Sequence, residues 1–274
     1  MEKIEKDPDY IVNFSYRFEQ GDVANFTVAS SDSIHVFGSG IHYKLRVEEY
    51  EIVCDSVLPD SSFIISHTLK EFRQMENKGY VKDVKRTTHP WVDHTVKYRI
   101  DKSGKRLPYQ ENNMSKLLQN PGTAFQPIIL SNLELGKPRF QGEKWAFKNE
   151  VEYIDNGIPM PRWEESLFMV MLGKRDTFEM PTDALEMNKT ALVFLNVPMQ
   201  DTVLQVVNSM NSFGILHYIE NVGVPFFQEI TSENKMKIYG IKEPHQETHH
   251  FINTKIILES YRKADGTELI IPKI

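Results

Sequence analysis

The 274-residue chain carries 32 Lys and Arg against 38 Asp and Glu, a net charge of −6, with 40% hydrophobic and 26% charged residues. That balance excludes extended disorder and argues against a general nucleic-acid binder, which needs a cationic surface to neutralise phosphates. The single cysteine, Cys54, excludes a disulfide framework and a thiolate-rich metal site, and no run reaches the roughly 18 apolar residues of a membrane-spanning helix.

From the N-terminus, "MEKIEKDPDY" lacks the apolar core of a signal peptide, so the chain as written reads as cytoplasmic. A removed leader would make it periplasmic or outer-membrane associated. "FEQGDVANF" (Phe18 to Phe26) places a glycine and an acid ahead of a strand. "GIHYKLRVEEYEIVCD" then alternates Ile41, Tyr43, Leu45 and Val47 with polar residues before its apolar series moves to Tyr50, Ile52 and Cys54. That change of phase predicts a bulge near Glu48, with the odd-numbered apolar side chains facing a core. The turn "LPDS" leads into the strand "SSFIISHTLKEF", and "HTVKYRI" meets "KRLPY" across "DKSG", where Gly104 supplies a positive φ. Basic residues dominate Lys70 to Arg106, a solvated face or an edge suited to an acidic partner or lipid headgroups.

"NNMSKLLQN" predicts one short helix. Prolines and glycines between Asn120 and Pro138 mark a connection, dividing the chain into a first β-rich half (1–119), a connector (120–138) and a second β-rich half (139–274). "SLFMVML" is read as a strand, whereas "MQDTVLQVVNSM" fits helix or strand equally. A terminal hairpin turns at Asp265-Gly266. The fold expected is mainly β: two similar halves of long, curved antiparallel strands with one or two short helices.

Two motifs recur in the same order. "FEQGDVANF" is matched by "FQGEKWAF" (Phe140 to Phe147), and "YRIDKSG" at Tyr98 by "YIENVG" at Tyr218. Such recurrence predicts duplicated supersecondary units. On these residues, including Gly142, Glu143, Trp145, Asp101 and Gly104, the chain resembles a group of uncharacterised bacterial envelope proteins with a Gly-Asp/Glu-x-Trp signature, broadly like the curved sheets of lipoprotein carriers. The resemblance implies a β-rich fold and an envelope setting. It carries no catalytic residue.

Candidate chemistry is thin. On an extended strand His245, Glu247 and His249 point the same way and can meet one metal ion, which gives a metal-assisted hydrolase as the enzymatic alternative. The H-E-x-x-H arrangement is absent. "HPWVDH" offers His89, Asp93 and His94 around Trp91, as a general-base pair or as a strand entrance. Ser39 lacks a nucleophile elbow, no phosphate-binding loop occurs, and the adjacent acids Glu48/Glu49 and Glu164/Glu165 face opposite sides of a strand. The apolar inventory is richer: Trp163, Phe168, Met169 and Phe226 are candidates for a pocket holding an acyl chain or apolar peptide, and fill a core equally well. The reading is a non-catalytic binding or assembly protein of the bacterial envelope that holds an apolar small molecule or a partner's segment on a curved sheet. It calls for no cofactor, metal or nucleic acid and for no transmembrane segment, with peripheral membrane contact as an option, and a structural subunit of a larger complex is a further alternative.

Overall fold

The computed structural model describes residues 9–12, 15–38, 40–78, 81–109, 128–134, 138–155, 158–199, 202–219, 221–239 and 246–272. They form fifteen strands and, among the described residues, no helix. The first half supplies β1 (Ile11–Val12), β2 (Val23–Val36), β3 (Gly40–Val57), β4 (Phe63–Lys78), β5 (Val81–Arg86), β6 (Thr95–Ile100) and β7 (Arg106–Leu107). The second supplies β8 (Arg139–Phe140), β9 (Lys144–Asp155), β10 (Ile158–Thr177), β11 (Met180–Met199), β12 (Thr202–Ile219), β13 (Val224–Tyr239), β14 (Gln246–Arg262) and β15 (Glu268–Leu269). β1 and β8 pair with each other; the other thirteen make one antiparallel sheet ordered β7-β6-β4-β3-β2-β14-β13-β12-β11-β10-β9, with β5 on β4 and β15 on β14. Each half is a meander, and the β2–β14 ladder joins them into one sheet.

The sheet is curled, as the two hydrogen bonds of one residue require. The Leu133 N–H donates to the Ser103 carbonyl beyond β6 at 2.8 Å, and the Leu133 carbonyl accepts from the Trp145 indole on β9 at 3.0 Å. Between β6 and β9 lie nine strand spacings in the sheet order, which would separate them by about 43 Å in a flat sheet at ~4.8 Å per strand. Only a sheet rolled round on itself can present both to a single residue. The rolled end is filled from inside by a plug: Tyr16 and Phe18 from the N-terminal segment, and Ile129, Leu130 and Leu133, all buried in the main core with Tyr98, Met169, Tyr218 and Phe226. Tyr16 ties the plug down through its N–H to the Lys102 carbonyl (2.9 Å) and its hydroxyl to the Ser131 carbonyl (3.0 Å).

The repeated motifs are one hydrogen-bonded device used twice. At the start of β2, the Gly21 N–H donates to the Cys54 carbonyl (2.8 Å), and the Cys54 N–H returns to the Asp22 carbonyl (3.0 Å). At the start of β9, Gly142 donates to Met171 (2.7 Å) and Met171 returns to Glu143 (2.9 Å). In both turns the acid's carboxylate accepts the N–H three residues back: Asp22 from Glu19 at 2.8 Å, Glu143 from Phe140 at 3.1 Å. Both glycines have the positive φ that such a tight reversal demands. The second pair of motifs also corresponds, since Gly104 and Gly223 each follow a buried tyrosine and each press on the plug. A Cβ at Gly104 would lie 2.3 Å from the Ser131 carbonyl oxygen, and one at Gly223 would lie 2.0 Å from that of Ser15.

Three expectations need correction or completion. Phase does not change along β3 from Gly40 to Cys54: its pairing with β2 runs without a register shift from Val53 to Gly40, so the inner positions run through buried Cys54, Ile52, Tyr50 and Glu48 and then half-buried Arg46 and Lys44. Ile41, Tyr43 and Leu45 therefore stand exposed on the outer face. The irregularity nearest Glu48 lies in β4, where Lys70 is the extra residue between Leu69 and Glu71 opposite Tyr50 and Glu49, and a second lies in β3, where Asp55 is extra between Cys54 and Ser56 opposite Ile65 and Ile64. "SLFMVML" is strand, as read, and the ambiguous "TVLQVVNSM" is strand too. "NNMSKLLQN" lies outside the described residues.

Candidate functional site

Alternation along β9 to β12 sends Trp145, Phe147, Leu167 and Met169 inward, where they are buried, and Ala146, Lys148 and Phe168 outward. On the outer face a trough of about 630 Å³ crosses these strands. One wall is Ala146, Phe168 and Asn188, which are cross-strand neighbours; the other is Lys148, Ser166, Thr190 and Asn211, likewise in register. The floor is the main chain of Phe147, Leu167, Lys189 and Ser212, whose side chains are buried on the inner face. Phe168 is 40% exposed, and Phe213, beside Asn188 in register, is 47% exposed. The trough ends at β9, a twelve-residue strand that among the described residues pairs only with β10. A long edge strand offers unpaired backbone donors and acceptors to an incoming chain.

The four pocket candidates do not converge. Met169 and Phe226 are buried in the core, the bland reading of a methionine and aromatic cluster; Phe168 lines the trough on the opposite face. Trp163 stands in β10 opposite Val193 and Val151, and its side chain lies outside the described residues. His245 also lies outside them. Glu247 and His249 do share a face of β14, 3.3 Å apart, and Glu247 also meets Lys237 at 3.9 Å. Among the described residues no group of three His, Cys, Asp or Glu is placed to hold a metal ion. In "HPWVDH", His89 meets Phe72 in a tilted ring contact with centroids 4.8 Å apart while Asp93 turns to Lys70 at 3.9 Å, and Trp91 packs against the core.

Pattern reading missed the inner face beyond the plug, which is polar. Ser30 and Asp32 on β2, Glu48 on β3, Asn234 on β13, Ser212 and Asn208 on β12 and Lys189 on β11 are all buried. Ser212 and Ser232 share a hydrogen bond of 2.9 Å, Arg46 contacts Ser30 at 3.3 Å and Glu48 at 3.4 Å, and Lys189 pairs with Glu165 at 2.9 Å. Burial raises the Asp32 and Glu48 carboxyls, against the pull of Arg46, and lowers His250. The signal was present: Lys44, Arg46 and Glu48 are in phase with Tyr50 and Ile52, and Ser30 and Asp32 with Phe26 and Val28. A buried tyrosine pair marks the boundary with the apolar end. His67, fully buried beside Tyr50 and bonded to the Tyr98 hydroxyl at 3.2 Å, has its pKa pushed down to about 3 by burial and then by Arg106. No helix among the described residues is long and apolar enough to cross a membrane.

The chain matches no family model and no curated protein. Among solved structures, it is matched by DynF from the dynemicin biosynthesis pathway of Micromonospora chersina, at 9% identity over 93% of this chain and 89% of that one, with a TM-score of 0.26. A likeness that loose defines neither the fold nor the function of this chain.

Proposed function

We propose that the protein is a non-catalytic binding or assembly component of the bacterial cell envelope, which holds an extended apolar segment of a partner chain where the outer trough meets the edge strand β9. The observation that supports this reading most is the trough itself: about 630 Å³ walled by an exposed phenylalanine and opening beside a twelve-residue strand edge that has no partner among the described residues. A strand laid on β9 gains main-chain hydrogen bonds, and an apolar side chain reaching over Ala146 meets Phe168. Lys144 and Lys148, both exposed on the outer side of β9, favour a partner with acidic residues flanking its apolar ones.

The test is a photo-reactive benzoylphenylalanine in place of Lys148, irradiated in cells of the source organism, with a second label at exposed Ser31 as a control. The reading expects one crosslinked chain at Lys148, its crosslink mapping to an extended segment, lost with Phe168→Ser and absent from Ser31. A crosslink indifferent to Phe168→Ser, or none, overturns it. Native mass spectrometry of the same protein distinguishes the small-molecule version, which would appear as a releasable excess mass with no second polypeptide.

A further inference from the structure

Past the plug, the inner face of the rolled sheet is polar and keeps accessible surface. On β14 the inward positions run from buried Leu258 and Ile256 to half-buried Thr254, Ile252 and His250, and on β13 from buried Gln228 to half-buried Ile230 and Ser232. Three acceptors on this wall have no donor among the described residues: Asp32 Oδ1, Asn234 Oδ1 and Asn208 Oδ1, on residues 7%, 9% and 2% exposed. They belong together. His250 is the register partner of Asn234 and interacts electrostatically with Asp32, and Asn208 lies diagonal to Asn234 across β12 and β13, within reach on one face. A buried acceptor without a donor costs free energy that a bound donor recovers. Each of the three also stands in register beside an unbranched side chain, Lys44 for Asp32, Met210 for Asn234 and Met236 for Asn208. Such chains move aside by rotamer changes alone.

We propose that this inner wall binds a neutral polyhydroxylated molecule, a small saccharide, whose hydroxyls donate to Asp32, Asn234 and Asn208 and accept from the half-buried Arg46 guanidinium. The charges of the wall argue for neutrality. Lys44 and Arg46 stand against Asp32 and Glu48, with Arg46 3.4 Å from Glu48, and Lys189 is matched by Glu165 at 2.9 Å. Neither an anion nor a cation gains a net field there. A hydroxyl is both donor and acceptor, so it satisfies a carboxyl oxygen and an amide in either orientation. Ile252, Ile230 and Met210, half-buried between the polar positions, offer apolar surface to the C–H faces of a sugar ring, the mixture expected of a small-molecule site. The wall is separate from the outer trough, since Lys189 and Ser212 point inward from β11 and β12 while Asn188 and Asn211 point outward.

The experiment is saturation-transfer NMR and calorimetric titration of the purified chain with glucose, N-acetylglucosamine, maltose and cellobiose, and with glucosamine and glucose 6-phosphate as charged counterparts. At least one neutral sugar is expected to bind, more tightly than either charged one. Asn234→Leu should weaken that sugar roughly tenfold while leaving the sugar-free protein as stable as wild type or more so, because an unpartnered amide gives way to an apolar group of similar shape. Met210→Trp, which fills the interior without removing a polar contact, should abolish binding in a chain that still folds. Phe168→Ser should change nothing, which keeps this wall distinct from the trough. Binding by no neutral sugar, preference for a charged one, or affinity indifferent to Asn234→Leu and Met210→Trp overturns the proposal. An Asn234→Leu protein less stable than wild type would show an amide already partnered, and a Met210→Trp chain that fails to fold would show an interior already full; either result overturns it too.

Discussion

At the start of β2, Asp22 is buried and its carboxylate is filled by neutral donors: the Glu19 N–H, the Ala264 N–H at 3.0 Å and the Tyr261 hydroxyl at 2.5 Å. At the start of β9 the same turn carries Glu143, one methylene longer and partly exposed, which reaches the Arg139 guanidinium at 2.8 Å as well as the Phe140 N–H. The backbone device is common to both. What differs is how the spare carboxylate oxygen is used: Asp22 ties the first turn to the C-terminal hairpin, more than two hundred residues away, whereas Glu143 braces its own approach strand. Glycine and an acid in sequence specify the turn; the length of the acid decides how far the turn's influence reaches.

The largest effects should come where both copies press on the plug. Gly223→Ala and Gly104→Ala each force a methyl into a carbonyl oxygen at a positive φ, and each should cost about 4 kcal/mol or prevent folding. Gly266→Ala, with the same sign of φ and open space around it, should cost only about 1 kcal/mol. Urea unfolding compares the three, and equal losses would show that the plug contact adds nothing beyond backbone strain.

The two buried tyrosines of the repeat separate next. Tyr98 brings a histidine ring with it, His67, whose folded-state pKa of about 3 lies below its ordinary 6.5. The folded protein thus binds fewer protons than the unfolded chain between those values. The stability associated with keeping His67 neutral is full above pH 6.5 and falls as pH drops towards 3, by about 4 to 5 kcal/mol over that window. Asp32 and Glu48, whose carboxyls are raised, act in the opposite direction, but equally in a His67→Gln variant. The difference in stability between wild type and His67→Gln should therefore shrink or reverse on acidification; a difference that stays constant would mean that His67 binds its proton equally well in the folded and unfolded states.

Asp22→Ala should cost about 3 kcal/mol, since it strands the buried Tyr261 hydroxyl and the Ala264 N–H. Glu143→Gln, which can keep an acceptor oxygen in the turn but loses the ion pair with the buried Arg139 guanidinium, should cost about 2 kcal/mol. Equal losses in thermal or chemical unfolding would contradict the distinction between the two turns. Phe168→Ser should change stability least, by roughly 0.5 kcal/mol or less, because its ring lies on the outer face.

Much of this was legible in the chain. The hairpin turns at Pro59-Asp60, Gly104 and Asp265-Gly266 are where their residues put them, because Pro, Asp and Gly set backbone dihedrals locally. The motif that couples Gly21 to Cys54 could be seen as a repeat, but its bonding partner lies on another strand and could not. β3 was misjudged because an apolar series at odd positions was assumed to seek a core. In a sheet rolled on itself only the plugged end of the inner face is apolar, and farther along that strand the inner positions carry Lys44 and Arg46 while the outer ones carry Ile41, Tyr43 and Leu45. The trough has no local signal, since it is made by residues from several strands in register.

The curl of the sheet places every surface discussed above, and a distance across it is the most direct test. Spin labels at exposed Lys105, beyond β6, and exposed Lys144, at the start of β9, replace each with cysteine; native Cys54, buried and with its thiol pushed up to about 12, stays unlabelled. Double electron–electron resonance should give a single narrow distance below about 25 Å if both edges meet at Leu133. A distance near the ~43 Å of a flat sheet would contradict the rolled architecture and with it the plug, the buried polar face and the assignment of inner and outer sides.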